Sequence, residues 1–159
     1  MKLVLLLFVV TGIGIGVAIP VARPQVVATA GTVVEAPGRP VETVLDRSGG
    51  GHFYTAADVN DEPIRFLVDT GASTVALTIE DARRAHVAFD PAQFTVIGKG
   101  ASGDVRGQAV RIASVVLDGK RATDISGVVL ESSNISLLGQ SYLRHVDTVE
   151  IKGDRMRLR

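Results

Sequence analysis

From His52 to the C terminus, apolar residues come in short β-branched runs that turn residues break every few positions. Ile64, Phe66 and Val68 alternate with Arg65, Leu67 and Asp69, which is the period of a half-buried strand. Asn60-Asp61, Asp118-Gly119 and Gly153-Asp154 supply turns between such runs. This punctuation favours strands joined by tight turns over a helical bundle. Hydrophobic residues make up 46% of the 159 and aromatics only 4%, with no Trp, so a core must be built from Val, Leu, Ile and Ala.

The pattern predicts strands over 53–59, 64–69, 74–77, 94–97, 105–117, 125–130, 135–138, 149–152 and 155–158. Thr78 is placed to cap a short helix through about residue 85, with Glu80 and Asp81 at its positive end. A second brief helix is expected near 141–145. On pattern alone this is an all-β chain with two short helices, either a small barrel or a sandwich.

The N terminus stands apart. Residues 3–22 carry no charge, and twenty helical residues at about 1.5 Å each span roughly a bilayer core. Gly12, Gly14, Gly16 and Pro20 would weaken a soluble helix, whereas membranes tolerate them. The segment is an uncleaved transmembrane anchor or a signal peptide cut near Ala28-Thr29-Ala30, and its length favours the anchor. Lys2 and Arg23 flank it on opposite sides, so orientation stays open. Pro24, Pro37, Pro40 and the run Ser48-Gly49-Gly50-Gly51 mark residues 23–50 as a flexible linker. The expected division is an anchor at 1–22, a linker at 23–50 and a folded domain at 51–159.

Seventeen basic residues balance seventeen acidic ones with no basic block, which argues against nucleic-acid binding. No cysteine is present, so disulfides, thiol catalysis and Cys-type zinc sites are excluded. His52, His86 and His145 have no metal-ligand spacing, and no serine sits in a Gly-x-Ser-x-Gly setting. Neither a metal nor another cofactor is expected.

The stretch that carries chemistry is Phe66-Leu67-Val68-Asp69-Thr70-Gly71-Ala72-Ser73. An apolar strand ends in a carboxylate, and a tight turn of small residues follows. An ionisable group placed directly after a buried strand costs desolvation, which a site that uses the charge would justify. An ordinary strand-to-turn junction could have the same composition. Two further pieces follow in order: a glycine-rich tip over 98–107, and Leu137-Leu138-Gly139 before the second helix.

In order and spacing, these three pieces resemble the retropepsin-like aspartic proteases, in particular their single-domain, membrane-anchored bacterial branch. The resemblance covers about two-thirds of the chain, from residue 52 onward. It implies a closed retropepsin-type β-barrel, one lobe per chain. Asp69 is then the catalytic carboxylate, and Thr70, Gly71 and Ala72 complete its loop. Gly100, Ala101, Ser102 and Gly103 form the substrate-covering flap tip, and Leu137, Leu138 and Gly139 support the loop from behind. Viral relatives often carry an Arg after the second glycine and an Asp after the Asp-Thr-Gly-Ala run. This chain has Gln140 and Ser73 there, so that ion pair is absent.

The chemistry needs two neighbouring carboxylates sharing one proton, and the chain holds one Asp-Thr-Gly. The implied species is a homodimer acting on a protein or peptide substrate. The bacterial resemblance further implies an inner-membrane protein with a periplasmic domain, or a secreted one if the leader is cut. The competing reading is a catalytically silent interaction module on the same fold.

Overall fold

The alternating runs become strands in the computed structural model, which describes residues 38–100 and 103–159. β1 (Thr43–Asp46) precedes β2 (Tyr54–Val59) and β3 (Glu62–Val68). Asn60 and Asp61 both take positive φ between the latter two, the backbone of a type I′ hairpin. β4 (Val75–Thr78) runs into α1 (Ile79–Arg84), where the Thr78 hydroxyl accepts from the Asp81 amide at 3.0 Å, so the cap read from sequence is present.

A 3-10 turn at Pro91–Gln93 leads to β5 (Thr95–Gly100), β6 (Gly103–Leu117) and β7 (Lys120–Leu130). β8 (Ser136–Leu138) and α2 (Gln140–Leu143) follow, and β9 (Val149–Lys152) and β10 (Arg155–Leu158) close the chain. β7 starts earlier than the pattern indicated. Lys120, Arg121, Thr123 and Asp124 hide its apolar alternation, yet all lie in the ladder opposite β6 or in its immediate irregularity.

Six strands close on themselves in the order β2, β3, β8, β4, β7, β6, with β6 returning to β2, and β5 continues outward from β6. The pairings β3–β8 and β4–β7 are parallel and the others antiparallel. This is the closed β-barrel expected. Closure leaves few open edges and faces alternate residues inward. Val59, Ile64, Phe66, Val75, Leu77, Ile112, Val115, Val129 and Leu138 are all fully buried there. Each such side chain contributes roughly 1.5–3 kcal/mol relative to exposure. Tyr142 is also fully buried, and its hydroxyl donates to the Lys120 carbonyl at 2.8 Å.

A second, three-stranded sheet has the order β1-β10-β9. It corrects the expectation of a linker through residue 50. Thr43, Val44 and Leu45 are good strand formers, and they pair with Leu158, Arg157 and Met156. Pro40, the proline before them among the described residues, lies outside the strand. Ser48–Gly51 is a tight turn, in which Gly51 N–H donates to Ser48 O at 2.8 Å. Just upstream, the segment at Gly38–Val41 crosses the β6–β7 turn. Val41 N–H donates to Asp118 O at 3.0 Å, and the Lys120 ammonium donates to Thr43 Oγ1 at 2.9 Å and to Val41 O. Positive φ at Asp118 and Gly119 makes the turn, and the close approach of Gly38 and Arg39 carbonyls leaves no room for a side chain at Gly119.

The expected anchor at 1–22 lies outside the described residues. Among the described residues, no helix is long and apolar enough to cross a membrane.

Candidate active site

Asp69 follows the last residue of β3, where the strand leaves the barrel. Its backbone N–H donates to Leu138 O at 3.1 Å, so the parallel β3–β8 pairing extends through it. Its Oδ1 accepts from the Gly71 amide at 2.9 Å and the Ala72 amide at 3.2 Å. Two backbone donors thus fix one carboxylate oxygen, and the side chain stays half-buried. The Ala72 N–H also donates to Asp69 O at 3.3 Å, which closes the loop into a tight turn. Thr70 and Gly71 are exposed at its tip.

The loop is held from behind by the segment named from sequence. Leu138 is buried against the core, and Gly139 passes beneath the loop. A Cβ on Gly139 would stand 2.7 Å from Ala72 O and closer still to Thr74 O, so only glycine fits there. Gln140 then makes two bonds to the loop. Its backbone N–H donates to Ala72 O at 2.8 Å, and its side-chain amide donates to Thr70 O at 2.8 Å. Ser141, fully buried, accepts from Val75 N–H at 2.8 Å through its hydroxyl. These last two roles were not legible. The departure at Gln140 marked an absent ion pair without showing what stands in its place, and Ser141 gave no signal beyond its position in a short helix.

Leu67 lies in register with Leu137, and Leu137 with Ala76. Residues opposite each other share a sheet face, and Asp69 is two positions from Leu67. The carboxylate therefore rises from the same face as an apolar floor whose two leucines are half-buried.

The stretch expected to form a flap lies on the β5–β6 hairpin, with Gly100 opposite Gly103. Ala101 and Ser102, assigned to its tip, lie outside the described residues. A register shift between Val96 and Gly98 bulges β5, and Val96 and Ile97 are exposed on it. Arg106 anchors the hairpin base, where its guanidinium donates to Phe94 O at 2.7 Å and to Glu131 at 2.8 Å. A cleft of about 360 Å³ is lined by Thr74, Val110, Arg111 and Val128, without Asp69. A second concavity of about 640 Å³, along α1 and residues 131–134, does not include Asp69. The three histidines are exposed.

Residues 55–145 match the family described as "gag-polyprotein putative aspartyl protease". A crystal structure of a retropepsin-like aspartic protease from Rickettsia conorii superposes with a TM-score of 0.61 and 37% identity, covering 74% of this chain and 89% of that one. An uncharacterized protein of Rickettsia prowazekii (strain Madrid E) is 40% identical over 114 residues, 71% of this chain and 49% of the relative. An uncharacterized protein from the cobV 5′ region of a Sinorhizobium species is 35% identical over 122 residues, 74% of this chain and 52% of the relative. The chain thus spans about half the length of the curated relatives it matches.

Proposed function

The chain belongs to the retropepsin-like aspartic protease family, and we propose that it is an endopeptidase whose active species is a homodimer with Asp69 of each subunit at the centre. The observation that carries this is the Asp69 carboxylate, presented at the end of an apolar strand with Oδ1 fixed by the Gly71 and Ala72 amides. In this reading the other oxygen is the one that meets the partner's carboxylate. Two such carboxylates brought together cannot both ionise easily and hold one proton between them. The ionised member takes a proton from a water molecule, which attacks the scissile carbonyl carbon. The protonated member donates to the carbonyl oxygen. An extended peptide lies over the Leu67–Leu137 floor, beneath the hairpin tipped by residues 100–103.

Residues 1–22 tether the domain to a membrane in this reading, the inner membrane of a bacterium with the domain on the periplasmic side. Confinement to a plane then raises the effective concentration of subunits.

The test is a peptide-library digest with the wild-type chain and with Asp69→Asn. Cleavage by the wild type that vanishes in the variant supports the proposal, and equal cleavage by both removes it.

A further inference from the structure

We propose that Lys120 is a positioning residue for the Asp69 loop, and that through it residues 38–43 are coupled to that loop. The effect on turnover rests on the peptidase reading above; the coupling itself does not.

Lys120 opens β7 and is buried. Its ammonium donates to Val41 O and, at 2.9 Å, to Thr43 Oγ1. The Thr43 hydroxyl in turn donates to the Asp118 carboxylate, and Val41 N–H donates to Asp118 O at 3.0 Å. Thr43 is buried as well, so these groups satisfy one another in place of water. Both direct partners of the ammonium are neutral oxygens, and a buried charge held in this way is costly. Methionine would fill similar space without that cost. The stability of the barrel therefore does not account for a lysine here. What the ammonium adds is a fixed seat for residues 41–43, the point where the chain from 1–37 joins the domain.

The same residue reaches the site through its backbone. Lys120 O accepts from the buried Tyr142 hydroxyl at 2.8 Å. Tyr142 belongs to α2, a single turn of four residues. A turn this short has no stability of its own, so its bonds to other elements set its place. On one side the partner is Lys120 O. On the other side it is the loop, where the Gln140 amide donates to Ala72 O and the Gln140 side chain to Thr70 O, both at 2.8 Å. The Ala72 N–H donates to Asp69 Oδ1 at 3.2 Å. A path of hydrogen bonds and one helical turn thus runs from Val41 to the carboxylate. A shift at the start of β7 moves α2, and α2 carries the support of the loop.

The test uses the full-length chain in neutral detergent. Lys120→Met is expected to lower kcat about three- to tenfold with KM little changed. Amide exchange at Gly71 and Ala72 should quicken by about the same factor. The urea midpoint should not fall at neutral pH, since methionine removes the cost of the buried charge. Tyr142→Phe breaks the next link and should act in the same direction. The double variant should lose little beyond the larger single effect, because both residues lie on one path. Thr43→Ser keeps the hydroxyl and should stay near the wild type, whereas Thr43→Val should resemble Lys120→Met. Arg121→Met removes an exposed neighbouring charge and should change none of these readouts. Unchanged kcat with unchanged exchange in Lys120→Met overturns the proposal. So does a loss of activity that comes with a lowered midpoint and faster exchange throughout the barrel, which marks a merely structural role. If the wild type cleaves no peptide, the peptidase reading falls, and exchange at Gly71 and Ala72 alone decides the coupling.

Discussion

Gln140 holds the carbonyl of Thr70 through its side-chain amide at 2.8 Å, across seventy positions of sequence. A neutral hydrogen bond thus supports the loop at a place where an ion pair would serve in viral relatives. Gln140→Ala removes one such bond, worth about 1 kcal/mol. If loop placement matters chiefly in the transition state, kcat falls roughly five- to tenfold with KM little changed. Gln140→Glu sets a carboxylate against the carbonyl and should cost more. Steady-state kinetics of the two variants on one peptide check the ordering.

Gly139→Ala tests the same support by sterics. The added methyl overlaps the Ala72 and Thr74 carbonyl oxygens, and both belong to backbone that cannot swing aside. Overpacking of this kind costs about 1–3 kcal/mol. A fall in the denaturant midpoint is expected, with a larger relative loss of activity because the displaced atoms carry the Asp69 loop.

Ser141→Ala leaves the Val75 amide without its acceptor in a buried position. Such a donor costs about 1–3 kcal/mol. Thermal unfolding should shift accordingly, while Ser73→Ala, at an exposed position, should not shift it.

The barrel was legible because its signals are local. Alternation in 64–68, the type I′ turns and the Thr78 cap each need only a few neighbouring residues. Two features were not legible because their cause is distant. Thr43–Asp46 becomes a strand only when β10 lies beside it, so prolines upstream dominated the reading of that stretch. The polar start of β7 is held by the long ladder to β6 and not by its own alternation. In the site, Asp69 and Gly139 stood out by motif. The bond from Gln140 to Thr70 and the anchoring of the β5–β6 hairpin by Arg106 depend on side chains meeting across the fold, which spacing does not encode.

Lys120 gives a pH-dependent prediction. Burial holds its ammonium below the ordinary lysine range, partly offset by Asp118 and Glu42. The folded state therefore releases this proton at lower pH than the unfolded state does. Between the two pKa values the unfolded chain binds more protons, so stability rises with pH across that window, and below it the buried charge is a standing cost. Compared with Lys120→Met, the wild type should gain stability as pH climbs toward the ordinary lysine range, about 10. Urea midpoints of both proteins over that range check the slope. A flat difference would mean that burial does not control this group.

Mixing subunits tests whether the site is shared. Asn at position 69 keeps the Oδ1 acceptor for the Gly71 and Ala72 amides, so Asp69→Asn subunits should fold and pair normally. A dyad with one carboxylate lacks either the base or the acid. Refolding wild-type and Asp69→Asn chains together in equal amounts should leave about a quarter of dimers with two aspartates, if pairing is random. Specific activity per total chain should then follow the square of the wild-type fraction. A linear dependence would mean that each chain works with its own carboxylate alone, and the two-fold site would have to be abandoned.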